Sequence, residues 1–214
     1  MDQPDEPSGP PAPTEPLSVR LVALAGHRRD EGLARRALES PLGPLRAAAL
    51  GALSRMGRLR PDDLSSALSD ADAGVRRRAC ELAPDIAVTL LRSLTDPEPL
   101  VVEAAAWALG ERADRTATAS LARVATGHPD PLCREAAVAA LGAIGDHRGL
   151  PAILAALDDR PAVRRRAVLA LAPFEGEEVE RALERAAGDR DWQVRQGAND
   201  LLNAGKGLSG WTPR

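Results

Sequence analysis

The sequence predicts an all-α fold, a right-handed α-solenoid of about six two-helix repeats. Three observations carry this. First, one phrase returns six times, most legibly from Asp158 to Leu171. Its anchor is aliphatic or Cys and falls at Leu45, Val75, Val101, Cys133, Val163 and Val194, in steps of 30, 26, 32, 30 and 31 residues. A period in that range marks a stack of helical repeats. Second, the fourth residue after each anchor is always Ala (Ala49, Ala79, Ala105, Ala137, Ala167, Ala198), and the eighth is Leu53, Ala83, Leu109, Leu141, Leu171 or Leu202. Offsets of zero, four and eight share one stripe of an α-helix, so these residues face inward, with Ala letting a neighbouring helix come close. Third, hydrophobic residues make up 44% of the chain and aromatics 2%. Ala and Leu must then supply the packing, which suits closely spaced helices and leaves few large side chains for a ligand pocket.

Taken in order, residues 1–16 hold Pro4, Pro7, Pro10, Pro11, Pro13 and Pro16 among acids, without apolar periodicity, and are expected to form a disordered tail. Val19, Arg20, Ala23 and Leu24 look like a truncated second helix that covers the first full repeat. Each anchor helix follows a turn. Five residues before the anchor stand Asp70, Asp96, Asp158 and Asp189, with Ser40 and His128 in the other copies. An oxygen there can cap free N–H groups, and Pro44, Pro99, Pro131 and Pro161 in the first turn cost no hydrogen bond. Between the phrases lie the partner helices. Their apolar faces are Ile86, Leu90, Leu91 and Leu94, then Leu150, Ile153, Leu154 and Leu157, and more faintly Val179, Leu183 and Ala186. The repeats are expected over 17–203. Residues 204–214, Gly-rich with Trp211 as their apolar anchor, read as a flexible tail, in which Trp211 either packs on the last helix or serves as a short linear motif.

One residue after the anchor stands Arg46, Arg76, Arg134, Arg164 and Arg195, with Val102 as the exception. At these residues the chain resembles the HEAT-repeat family, in particular its short bacterial HEAT-like, phycobilin-lyase-type variety. There the second helix opens with Asp, then Val-Arg, Ala and Leu, as from Asp189 to Arg195. The resemblance covers roughly 17–203. It implies a polar ladder running from repeat to repeat through Asp70, Arg76, Asp96, Arg134, Asp158, Arg164, Asp189 and Arg195, from which Val102 and His128 depart. It also implies that the second helices line the concave side. The candidate inner face is then Arg77 and Glu81, Glu103 and Trp107, Glu135 and Ala139, Arg165 and Leu169, Gln196 and Asp200. Trp107, with Glu103 and Glu111 one turn away on either side, is either a plate for a basic or amphipathic peptide or a filler between Ala-rich helices. Trp192, inside the family's opening phrase, is expected to be structural.

Little in the sequence points to catalysis. Cys80 and Cys133 lie on or beside inward positions without a CxxC or Cys/His spacing, which favours buried thiols. The HEAT-like deoxyhypusine hydroxylases hold a di-iron centre with His-Glu pairs. Here His27, His128 and His147 are followed by Arg28, Pro129 and Arg148, so that motif is missing. There is no Gly-x-Ser-x-Gly elbow and no phosphate-cradling Gly-rich loop. The expectation is no catalytic residue, no metal and no cofactor. HEAT-like DNA glycosylases use a basic concave face, for which the triplets Arg76 to Arg78 and Arg164 to Arg166 offer phosphate contacts. A net charge of −3 and a pI of about 5.7 argue against nucleic acid. One Lys against 27 Arg reflects a GC-rich genome more than a binding role. No apolar run reaches the ~18 residues of a membrane span, and the acidic start lacks a signal peptide's character, so a cytoplasmic protein is expected. The function expected is a non-catalytic protein–protein interaction scaffold whose concave face takes a protein or peptide. The alternatives are an accessory or chaperone-like subunit of a protein-modifying enzyme, as in the phycobilin-lyase branch, and a DNA-binding HEAT-like protein.

Overall fold

The computed structural model describes residues 17–208, and among these the fold is entirely helical, with twelve α-helices and four short 3-10 segments. It divides into two compact units, one up to Arg58 and one from Leu59 onward. The expected tail 1–16 and Trp211 lie outside the described residues.

The first unit holds α1 (Val19–Arg28), α2 (Glu31–Leu38) and α3 (Gly43–Arg55). Ser18 caps α1 by accepting from the Leu21 N–H at 3.2 Å, and Asp30 caps α2 by accepting from Leu33 at 2.9 Å. α1 and α2 both pack on α3, around a core that includes Val22, Ala37, Leu45 and Ala49.

The second unit holds α4 (Pro61–Ala67), α5 (Ala73–Leu82), α6 (Pro99–Glu111), α7 (Thr118–Gly127), α8 (Pro131–Ile144), α9 (Leu150–Ala155), α10 (Pro161–Ala170), α11 (Glu177–Ala186) and α12 (Trp192–Leu208). Helices α5, α6, α8, α10 and α12 lie side by side, each packed on the next. Behind them run α4, the 3-10 segment Leu91–Thr95, α7, α9 and α11. This is the two-layer stacking of helical pairs that the repeat period predicts. All six anchors and all six Ala at the fourth position are buried, and so is every residue at the eighth except the half-buried Leu202. The small residues set the spacing. A Cβ added to Gly142 of α8 would lie 2.7 Å from the Ala170 backbone of α10, and one on Gly110 of α6 would lie 2.9 Å from that of Ala140 in α8. Gly145, at φ +63°, ends α8 in the left-handed conformation that glycine adopts without strain.

The structure departs from sequence expectations in several places. Residues 86–94 do not form an α-helix: 84–90 are irregular, and only Leu91–Thr95 coil, as a 3-10 segment. Leu90 and Leu94 are still buried, whereas Leu91 is exposed. The guanidinium of Arg112, just after α6, donates to the carbonyls of Ala83, Ile86 and Val88, the last at 2.6 Å. It satisfies acceptors that a helix would have paired internally. Trp192, expected to be structural, is 64% exposed at the start of α12, and α12 continues to Leu208, past the boundary expected at 203. The capping position also moves. Asp70 Oδ1 accepts from the Asp72 N–H at 2.8 Å, within the turn, while Asp72 itself caps α5 through Val75 at 3.1 Å. Asp130 and Asp191 likewise accept from the first N–H groups of α8 and α12.

The Arg and Asp residues meet across repeats. Arg76 reaches Asp96 through Nε and Nη2 at 2.7 and 2.9 Å, and Arg164 reaches Asp189 at 2.8 Å through both. Arg134 grips Asp159 at 2.6 and 2.7 Å, not the Asp158 that the spacing singled out. The reason is the position of the turn. Asp159 stands two residues before α10 begins, where Asp70, Asp96, His128 and Asp189 stand three before α5, α6, α8 and α12, so the turn residue is one place nearer the helix. The third nitrogen of each Arg donates into its own loop, as Arg76 does to Asp70 O, Arg134 to His128 O and Arg195 to Asp189 O. Arg76, Arg134 and Arg164 thus tie their own turns to the next repeat's carboxylate. These bonds hold the carboxyls of Asp96, Asp159 and Asp189 below the usual range and push the three arginines up. The two departures prove to be one. The Arg of one copy pairs with the Asp of the next, so Val102 and His128 are the two positions of a single missing rung. Val102 is buried there, and His128 keeps only the local role, its Nδ1 accepting from the Asp130 N–H at 3.1 Å.

Candidate functional site

The helices of the front layer enclose a groove of about 680 Å³ over α5, α6, α8 and α10. Its walls are one stripe taken twice. From α6 come Leu100, Glu103, Ala104, Trp107 and Glu111, and from α8 come Leu132, Glu135, Ala136, Ala139 and Ala143. Within each helix these stand at the same offsets from the anchor, −1, +2, +3, +6 and +10, which is the helical face beside the buried stripe. Gly110 and Ala140 bring the two helices close and form the floor. The rims are Arg77 and Glu81 on one side and Arg166 on the other.

The groove combines apolar surface with uneven charge. Trp107 is 48% exposed rather than buried between helices, and Leu100 and Leu132 of the same lining are exposed too. Glu81 is held by Arg77 at 3.3 Å and by Arg78 at 2.9 Å, and Glu135 by Arg166 at 3.4 Å. Glu103 and Glu111, one turn before and after Trp107, make no ion pair among the described residues. The lining carries four carboxylates against two guanidiniums, and the uncompensated charge sits beside the indole.

Of the candidate face residues, Arg77, Glu81, Glu103, Trp107, Glu111, Glu135 and Ala139 come together here. Arg165 does not, because its guanidinium turns to the Gln193 amide oxygen and to Asp191, 3.7 Å away. Gln196 instead donates to Asp200 at 2.9 Å within α12. Sequence reasoning took offsets two and six and missed Leu100, Leu132, Ala104, Ala136 and Arg166. The signal was present, since Leu100 and Leu132 occupy the same offset, one residue before adjacent anchors, as do Ala104, Ala136 and Arg166 three residues after.

Other reactive groups are spent on structure. Burial pushes the Cys80 and Cys133 thiols up to about 11, so they are protonated and unreactive at neutral pH. Cys133 Sγ donates to the Pro99 carbonyl at 3.3 Å. His147 packs edge-on against Phe174 with ring centroids 5.4 Å apart. Among the described residues, no group of three His, Cys, Asp or Glu is placed to hold a metal ion, and no helix is long and apolar enough to cross a membrane.

Residues 86–172, which include most of the groove, match the family model for HEAT repeats. No curated protein sequence matches the chain. Among solved structures it is similar to YibA of Escherichia coli, with a TM-score of 0.63 at 17% identity over 88% of this chain and 76% of that one. It is also similar to the complex of CpcE and CpcF of phycocyanin lyase from Nostoc sp., with a TM-score of 0.58 at 24% identity over 93% and 81%. A computationally designed armadillo repeat protein for modular peptide recognition gives a TM-score of 0.57 at 18% identity over 87% and 99%. At these identities the likeness is one of fold.

Proposed function

We propose that the chain, whose residues 86–172 match the HEAT-repeat model, is a non-catalytic binding scaffold whose front-layer groove takes a segment of a protein partner. The observation that carries this is Trp107. A large aromatic is costly to leave half in water, and this chain has one Phe, three Trp and no Tyr, yet it places an indole in a groove whose lining also holds two exposed Leu. An aromatic anchor ringed by apolar and polar groups is how interfaces concentrate binding energy. The charge balance favours a peptide over a nucleic acid, since four carboxylates would face the phosphates. The fold that the chain shares with a designed armadillo protein for modular peptide recognition supports the same use. Its likeness to the phycocyanin lyase pair supports a second one, in which the same groove presents a substrate protein to a modifying enzyme.

The test is selection of random peptides by display on the full chain, followed by affinity measurements with the selected peptides. Trp107→Ala is expected to weaken binding by about 2 kcal/mol or more, roughly 30-fold. The melting temperature should stay close to that of the unchanged protein, because the side chain is half-exposed. Peptides that bind the variant as tightly as the original protein would remove the groove from the reading.

A further inference from the structure

We propose that the groove recognises a cationic side chain, Arg or Lys, of the bound segment, seated over the Trp107 indole between Glu103 and Glu111. This rests on the groove being a peptide site and adds the chemistry of what it selects.

The distribution of charge carries the inference. Were the groove built only for apolar side chains, its carboxylates would be neutralised or turned away. Two are neutralised: Glu81 by Arg77 and Arg78, and Glu135 by Arg166. The two left unpaired are those on the turns flanking the one aromatic in the groove, all three on α6 and all three lining the same cavity. Residues four apart on a helix stand roughly 6 Å from each other at Cβ, so a group lying on the indole is within reach of both carboxylates. An indole face attracts a cation through its quadrupole, and a desolvated cation gains more. A guanidinium can also give each carboxylate a charge-assisted hydrogen bond while its plane stacks on the ring. Leu100 and Leu132 then receive the aliphatic stem or a neighbouring apolar residue. A neutral or acidic side chain at that point would leave both carboxylates partly desolvated with nothing in return.

The test uses short capped peptides of Leu and Ala with one central residue set to Arg, Lys, norleucine or Glu. They are titrated against the full chain at up to millimolar concentration and followed by the Trp107 indole N–H signal in proton–nitrogen correlation spectra. The Arg and Lys peptides are expected to bind at least about tenfold more tightly than the norleucine and Glu peptides. The paired substitution Glu103→Gln with Glu111→Gln should erase that preference by weakening the Arg and Lys peptides. Norleucine binding as tight as Arg, with the Trp107 signal shifting in both, overturns the cation site but leaves the groove reading standing. If no peptide moves the Trp107 signal, both readings fall.

Discussion

Replacing Arg164 by Ala isolates one rung of the ladder. The side chain is 6% exposed and makes two bonds of 2.8 Å to Asp189 and one of 2.9 Å to the Asp159 carbonyl. Removing it strands the Asp189 carboxylate, which is itself only 15% exposed. Breaking a buried pair from one side costs about 3–5 kcal/mol. The Asp189 carboxylate keeps the Asp191 N–H at 2.7 Å, so the low end applies, about 3 kcal/mol. Arg165→Ala is the control. That side chain is 37% exposed with its ion partner 3.7 Å away, and its loss should cost about 0.5 kcal/mol. Urea denaturation followed by far-UV circular dichroism reads the difference, and amide exchange in α10 and α12 locates it, because repeats unravel locally. Acid provides a second reading. Arg164 depresses the Asp189 pKa, so the unfolded chain binds more protons at that carboxyl than the folded one. The rung's contribution is therefore complete above the unfolded value of about 3.9 and is lost as pH falls through the depressed one. The gap between the Arg164→Ala variant and the unchanged protein should hold steady from neutral pH to about pH 5 and close below about pH 4. Equal urea midpoints for Arg164→Ala and Arg165→Ala would refute the reasoning.

Two further substitutions probe the stack. Ala137 is fully buried in α8, so Ala137→Leu should lower stability by roughly 1–3 kcal/mol, with amide exchange accelerating first in α8 and its neighbours; unchanged exchange there would contradict the close approach of these helices. Val102→Arg should destabilise by about 3 kcal/mol as a buried unpaired cation, and adding His128→Asp should restore at least half of that by completing the missing rung. A double variant no better than the single would show that the two positions do not face each other.

The sequence by itself determined the repeat, the buried stripe and the all-helical class. The reason is local: offsets of four fix which face of a helix a residue occupies whatever lies beside it, so Ala49, Ala105 and Ala167 could be placed inside before any neighbour was known. The same counting puts Glu103 and Trp107 on one helical face, and Glu135 at the matching position of α8, but that this face is the inner one came only from the resemblance to HEAT repeats. What remained depended on other repeats. Whether Trp107 is a plate or a filler turns on how closely α6 and α8 approach, which Gly110 and Ala140 decide. The partner of Arg134 was set by a turn that stands one residue nearer the start of α10, which carries Asp159 rather than Asp158 into reach. Arg165 and Arg166 look interchangeable in sequence, yet the N-terminus of α12 draws one away through Asp191 and Gln193 while Glu135 of α8 draws the other onto the groove rim. The apolar spacing of 86–94 reads as a helix, and it is the Arg112 guanidinium, arriving from the end of α6, that makes the extended path affordable by pairing its carbonyls. Period and face are properties of one helix. Pairing, exposure and the unwound segment are settled by side chains that arrive from 20 to 30 residues away, and only the assembled stack brings them there.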